Sequence, residues 1–219
     1  MLSQQLTRKL AKLQVADRPA ANQKLTSPCI AAIYGFASRE HMQRHLLKFL
    51  RQSGYNNTTM YGHLQVALIA DDLQQAAAQG HPIVLIGFSQ GGLEAVHVAK
   101  ELEKRGVSVD LLVTIAAGGK GRLWPHRKAD DPRTIPFNVA CCLNYFSASD
   151  FLGTDAKHDD NLAVATTDKQ HVENIFFTKQ QGISHLAISR AYPAAKIAEC
   201  VNEQLLKRLL KELTALESK

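Results

Sequence analysis

Residues 81–104 read HPIVLIGFSQGGLEAVHVAKELEK. Ile83-Val84-Leu85-Ile86 is a continuous apolar run of the kind a strand buried on both faces requires. Residues 90–104 read as a helix stopped by Gly106. Between them, Gly87-Phe88-Ser89-Gln90-Gly91-Gly92 fits the pattern G-x-S-x-G. A strand passing so abruptly into a helix holds Ser89 on a sharp, strained turn. Gly87 and Gly91 keep side chains out of the space where the turn crosses neighbouring elements. The turn lifts the serine hydroxyl above the strand ends, and the helix aims its first N–H groups at a charge developing there. Ser89 is therefore a candidate nucleophile. The competing reading of the same stretch is a plain glycine-rich strand-to-helix turn that binds an anion.

Working outward, the same rhythm repeats. Residues 30–34 form a short apolar strand ending at Gly35. Ser38 is a good N-cap for a helix reaching about Gln52 and closed by Gly54. Residues 57–61 read as a weaker strand, residues 64–79 as a helix, and residues 109–116 as another buried strand. Strands follow at 138–145 and 172–178, separated by an irregular acidic stretch at 151–170. A long amphipathic helix is read from Ser189 or Arg190 to about Leu216, with Pro193 in its first turn. Alternating buried strands and helices specify an α/β fold: a three-layer sandwich around a mostly parallel sheet of five or six strands. Residues 1–28 read as an extension. Leu2, Leu6, Leu10 and Leu13 recur at helical spacing, and Pro19 and Pro28 mark a linker. The main domain is read as residues 29–219.

Composition narrows the function. The 219 residues are 45% hydrophobic and 21% charged, enough for one core and inconsistent with wholesale disorder. No run approaches the ~20 apolar residues of a membrane span. The first residues lack the apolar centre of a secretory signal, so the chain reads as cytoplasmic. Lys and Arg outnumber Asp and Glu by 26 to 20. No basic run is dense enough, or mixed enough with aromatics, for a nucleic-acid motif, so no nucleic-acid partner is expected. The four cysteines, Cys29, Cys141, Cys142 and Cys200, have no metal-ligand spacing and read as free thiols. Neither a metal nor a cofactor is expected.

With the motif and its strand and helix in place, the chain from Ile30 onward resembles the α/β-hydrolases of the small, lid-poor kind. Gly87-Phe88-Ser89-Gln90-Gly91-Gly92 is similar to the nucleophile elbows of cutinases, carboxylesterases and acyl-protein-thioesterase-like hydrolases. The resemblance implies a catalytic triad in chain order serine, acid, histidine. It places the histidine after the last strand, and His185 is the one histidine there. It places the acid after the strand at 138–145. Asp150 is the first choice, with Asp155 the nearest rival and Asp159 and Asp160 behind it. It also implies two backbone N–H donors for an oxyanion, those of Gln90 and Phe36. Many relatives have His-Gly where this chain has Tyr34-Gly35. Tyr34 can brace that loop and is a candidate substrate contact.

Residues 117–136 form a polar loop with Arg122, Arg127, Lys128 and Arg133 around Trp124. The tryptophan could line an acyl pocket or touch a membrane periphery, or simply cover the core edge. The basic residues could attract an anionic substrate. The insert is too short for a large lid. The leading expectation is a serine hydrolase that cleaves a small or lipid-like carboxylic ester or thioester through an acyl-enzyme. The alternatives are an acyltransferase using the same triad and a non-catalytic binding protein of the same fold.

Overall fold

The computed structural model describes residues 27–118 and 133–218. The extension read at residues 1–28 falls almost wholly outside them. Eight strands are present among the described residues: β1 (Cys29–Tyr34), β2 (Thr58–Gly62), β3 (Ile83–Phe88), β4 (Val109–Ile115), β5 (Thr134–Ile135), β6 (Val139–Ser147), β7 (Val164–Ala165) and β8 (His171–Phe177). The main helices are α1 (residues 39–52), α2 (Val66–Ala78), α3 (Gln90–Lys104) and α4 (residues 199–217). Helices α1 and α4 each contain a π-type turn, at Gln43–Leu47 and Asn202–Lys207.

Six strands build the central sheet in the order β2-β1-β3-β4-β6-β8, and every adjacent pair is parallel. Because strand side chains alternate, each strand feeds two cores. Ile30, Ala32, Val84, Ile86, Phe88, Leu111 and Val113 enter one, with Met42, Leu46 and Leu50 of α1 and Leu205, Leu209 and Leu213 of α4. Ala31, Ile33, Ile83, Leu85, Val109 and Leu112 enter the other, with Ile69 and Leu73 of α2 and Val98 and Leu102 of α3. The expected three-layer sandwich follows from that division. Cys141 and Cys142 behave as adjacent strand residues must, packing on opposite faces.

The order of the strands positions the site. The chain lays β2 on one side of β1 and then returns to lay β3 on the other. Helix α1 leaves β1 toward one face, and α3 leaves β3 toward the other. A crevice must open where the two depart, beyond the carboxyl ends of β1 and β3. Gly35 and Ser89 stand at those two ends.

Three sequence expectations need correction. Strand β6 runs two residues further than read, because Phe146 and Ser147 continue the ladder opposite Phe176 and Phe177. Strand β5 lies in the stretch read as the polar loop at 117–136 and β7 in the stretch read as irregular at 151–170, and the two join in a small parallel sheet. The last helix starts at Glu199, about ten residues later than read. Pro193 and Ala198 are extended, Pro193 disfavours helix in the residue before it, and Ile188 and Ala191 are instead buried in the core.

A polar row crosses the sheet under the site. Thr114, Asn144 and Asn174 are neighbours in register on β4, β6 and β8. The Thr114 hydroxyl donates to Asn144 Oδ1 at 2.7 Å, and Asn144 Nδ2 donates to Asn174 Oδ1 at 2.8 Å and to the Asn161 carbonyl at 2.7 Å. Asn161 Nδ2 then holds the carbonyls of Asp155 and Lys157, and its Oδ1 accepts the Asp155 N–H. Asn144→Leu would leave the Thr114 hydroxyl and the Asn161 carbonyl buried without those partners. Each such group costs about 1–3 kcal/mol, so a clear drop in the urea midpoint is expected, and an unchanged midpoint would count against the network.

Candidate active site

Ser89 takes φ 56° and ψ −130°, a left-handed conformation that is strained for any residue with a Cβ. Its N–H is tied to the Ile115 carbonyl at 2.8 Å, which fixes the turn against β4. The glycines around it serve close approaches. A Cβ on Gly87 would drive into the Gly91 backbone, and one on Gly91 into the Ile33 carbonyl. A Cβ on Gly35 would come within 2.8 Å of the Gln90 nitrogen. Gly91→Ala is expected to cost about 3 kcal/mol or more, since the neighbour is backbone and cannot swing away. A melting temperature close to the parent's would contradict this.

Asp150 follows β6 after a two-residue turn, with its N–H on the Ser147 carbonyl at 3.1 Å. Its side chain is wholly buried. Oδ1 accepts the N–H groups of Leu152 at 3.0 Å and Gly153 at 2.9 Å, and Oδ2 lies 2.8 Å from His185 Nδ1. The residues Asp150 and His185 are thus brought together. Asp155, the rival acid, lines the same cavity as Ser89 and His185. Its backbone is held by Asn161. Asp159 and Asp160 lie farther along, where Arg133 meets the Asp159 carbonyl at 3.3 Å and Asp160 Oδ1 at 3.9 Å.

Ser89, His185, Gln90 and Phe36 line one cavity of about 340 Å³, walled also by Leu93, Ala116, Ala117, Gly118, Leu152 and Leu186. Phe36 sits in the turn between β1 and α1, where the Ser38 hydroxyl donates to the Gly35 carbonyl at 3.0 Å and Ala37 takes φ 53°. Tyr34 is not brought to this cavity. Its ring packs against the core and its hydroxyl lies over Gly62. Trp124, Arg122, Arg127 and Lys128 lie outside the described residues. Arg133, the fourth basic residue of that loop, is engaged with the 159–160 backbone and carboxylate rather than with the cavity. Among the described residues no group of three or more His, Cys, Asp or Glu side chains is arranged to hold a metal ion.

Three site residues carry no signal that sequence reading used. A Cβ on Gly153 would fall 2.8 Å from both Asp150 Oδ2 and His185 Cε1, so only glycine fits against that pair. The Phe88 ring lies 4.9 Å from the His185 ring and 5.7 Å from the His41 ring, centroid to centroid. His41 precedes Ser89 in the chain, outside the order that the resemblance implies for the base, yet its Nε2 is 3.0 Å from the buried Ser189 hydroxyl.

Burial, then the nearby His45, Arg190 and His185, pushes the His41 pKa from 6.5 down to about 4. Folded His41 stays neutral where an unfolded histidine takes up a proton. Stability is therefore expected to fall as pH drops from about 6.5 toward about 4, and to be level above that window. Denaturant midpoints across this range should fall less steeply in His41→Gln than in the parent. Parallel curves would refute the assignment.

This is the architecture of an α/β-hydrolase. The thioesterase domain family matches residues 15–137, more than half of the chain, and the chain belongs to that family, an enzyme of the serine hydrolase type. No curated protein matches it in sequence. Among solved structures it is similar to a hormone-sensitive lipase from a metagenome library (11% identity, 99% of this chain and 92% of that one, TM-score 0.61). It is also similar to an esterase of Pyrobaculum calidifontis (13%, 87% and 77%, TM-score 0.59). A third is the RedJ thioesterase of the Streptomyces coelicolor prodiginine pathway (14%, 90% and 96%, TM-score 0.53). Identities this low show a shared fold. No helix among the described residues is long and apolar enough to cross a membrane.

Proposed function

We propose that the protein hydrolyses a carboxylic ester or thioester of a small or lipid-like acyl group, with Ser89, Asp150 and His185 as its triad. The observation that carries this reading is the 2.8 Å bond from buried Asp150 to His185 on the cavity that also holds Ser89. In the first half-reaction Ser89 Oγ adds to the acyl carbonyl while His185 Nε2 takes its proton. Asp150 keeps the Nδ1 proton directed at itself and favours the imidazolium. The backbone N–H groups of Phe36 and Gln90 receive the oxyanion. The tetrahedral species collapses, the C–O or C–S bond breaks, and the leaving alcohol or thiol takes the proton from His185. Water then repeats the sequence on the acyl-serine and regenerates the free hydroxyl.

The mouth of the cavity supports an apolar acyl group. Phe36, Leu152 and Leu186 stand there 77%, 52% and 48% exposed, an expensive arrangement in water unless a substrate covers them. Fluorophosphonate labelling, followed by a chain-length series of p-nitrophenyl esters and matched thioesters, tests the proposal. Absence of labelling and of turnover on every member would overturn it. Gly153→Ala is expected to lower kcat by about 10- to 100-fold, because it displaces the Asp150–His185 pair by a fraction of an ångström or more. An unaltered kcat would show that the pair tolerates the shift.

A further inference from the structure

We propose that His41 and Phe88 are positioning residues for His185: the Phe88 ring packs against the imidazole, and His41, which also meets that ring, holds the backbone that delivers it. The proposal rests on the reading of His185 as the base and goes beyond it. The segment from Ile183 to Ala198 contains no regular strand and only one short turn of helix; around His185 its own backbone bonds are turn contacts, Ile188 N–H to the Ser184 carbonyl and Arg190 N–H to the Ala187 carbonyl. Asp150 grips one ring nitrogen, and Gly153 packs against the ring at Cε1. Further constraints come from β6, where the Ser147 hydroxyl donates to the Ile183 carbonyl at 2.6 Å, and from β3 and α1.

Phe88, fully buried, meets both histidine rings, at 4.9 Å from His185 and 5.7 Å from His41. His41 Nε2 is 3.0 Å from Ser189 Oγ, and the Leu186 backbone also hydrogen-bonds the ring. One helix face continues the grip. His45 Nδ1 accepts the Tyr192 N–H at 3.2 Å, Lys48 Nζ lies 4.5 Å from the Tyr192 ring centroid, and the Tyr192 hydroxyl donates to Gln52. Positions 41, 45, 48 and 52 share one side of α1. The same helix begins at the turn that carries Phe36, so one rigid element sets both an oxyanion donor and the base.

Charge explains why a neutral ring suits position 41. When His185 takes the serine proton it becomes cationic, and the groups around His41 are already His45 on its own helix with Arg190 and His185 on the facing loop. A second cation there would oppose the imidazolium, whereas the Phe88 face attracts it.

The test compares His41→Phe, His41→Gln and Phe88→Leu in the full chain, with a short p-nitrophenyl ester as substrate. His41→Phe keeps a ring but loses both hydrogen bonds. Its kcat is expected to fall about 10- to 100-fold with KM changed by less than about threefold. His41→Gln, which can still donate and accept, should recover most of that loss. Phe88→Leu should resemble His41→Phe. The low-field proton resonance of His185 Nδ1 should stay sharp in His41→Gln and broaden in His41→Phe, a change that lowered stability alone does not produce. Should His41→Phe fail to fold, Ser189→Ala removes the partner hydroxyl without touching the helix and should lower kcat several-fold. Parental kcat and a sharp resonance in His41→Phe, or parental kcat in Ser189→Ala where the first cannot be made, would overturn the inference while leaving the triad intact. Full activity in His185→Ala would instead overturn the reading beneath it.

Discussion

Ser89→Ala is expected to abolish fluorophosphonate labelling and to lower turnover by roughly 10⁴- to 10⁶-fold, the scale of loss when a triad nucleophile is removed. The effect should be large because Ser89 is the residue that stands on the strained strand-to-helix turn. The left-handed backbone at position 89 is what raises this side chain over the strand ends, and the Ile115 carbonyl holds the turn there. The substitution changes little else: alanine tolerates the same backbone about as well as serine, so the melting temperature should remain close to the parent's. That pairing of lost chemistry with retained stability is the discriminating result. Labelling that persists in the variant would move the nucleophile elsewhere, and the proposed function with it.

The second large effect is expected at position 150. Asp150→Asn keeps the shape and can still accept the Leu152 and Gly153 N–H groups. It nonetheless presents a neutral amide to His185 and removes the charge that supports the imidazolium, so kcat should fall by roughly 10³- to 10⁴-fold. Asp155→Asn should be close to neutral for kcat, because the carboxylate 2.8 Å from His185 Nδ1 is that of Asp150, and the Asp155 backbone bonds to Asn161 survive the change. A profile with the two variants exchanged would show that the acid was misassigned. A profile in which both are mild would show that His185 does not need a buried carboxylate partner.

The architecture was legible because it rests on local, repeating patterns. Ile83 to Ile86 is apolar on every residue, as a strand covered on both faces must be, and α3 begins and ends where its residues said it would, at Gln90 and Lys104. The elbow was legible for the same reason: glycine, serine and glycine at fixed offsets encode a turn whose geometry is set within six residues. Boundaries dominated by tertiary contacts were less so. Strand β6 gains Phe146 and Ser147 from pairing with β8, and the last helix is delayed because Ile188 and Ala191 are drawn into the core.

Side-chain partnerships between distant segments lay beyond the sequence. Position 150 could be ranked above position 155 only by resemblance, and the carboxylate that reaches His185 is decided by a turn of a few residues whose path depends on Gly153 fitting beneath the imidazole. Tyr34, next to the site in sequence, turns to Gly62 because strand alternation sends it toward the core. His41 is 144 positions from His185 in the chain, and only the packing of α1 against the loop before α4 makes them neighbours. Sequence by itself determined the layers, the parallel sheet and the serine on its strained turn, because each is written in periodicity or in contiguous residues. Tertiary structure alone decided which acid, which glycine and which buried ring stand around His185, because those contacts depend on how separate segments are superposed in space.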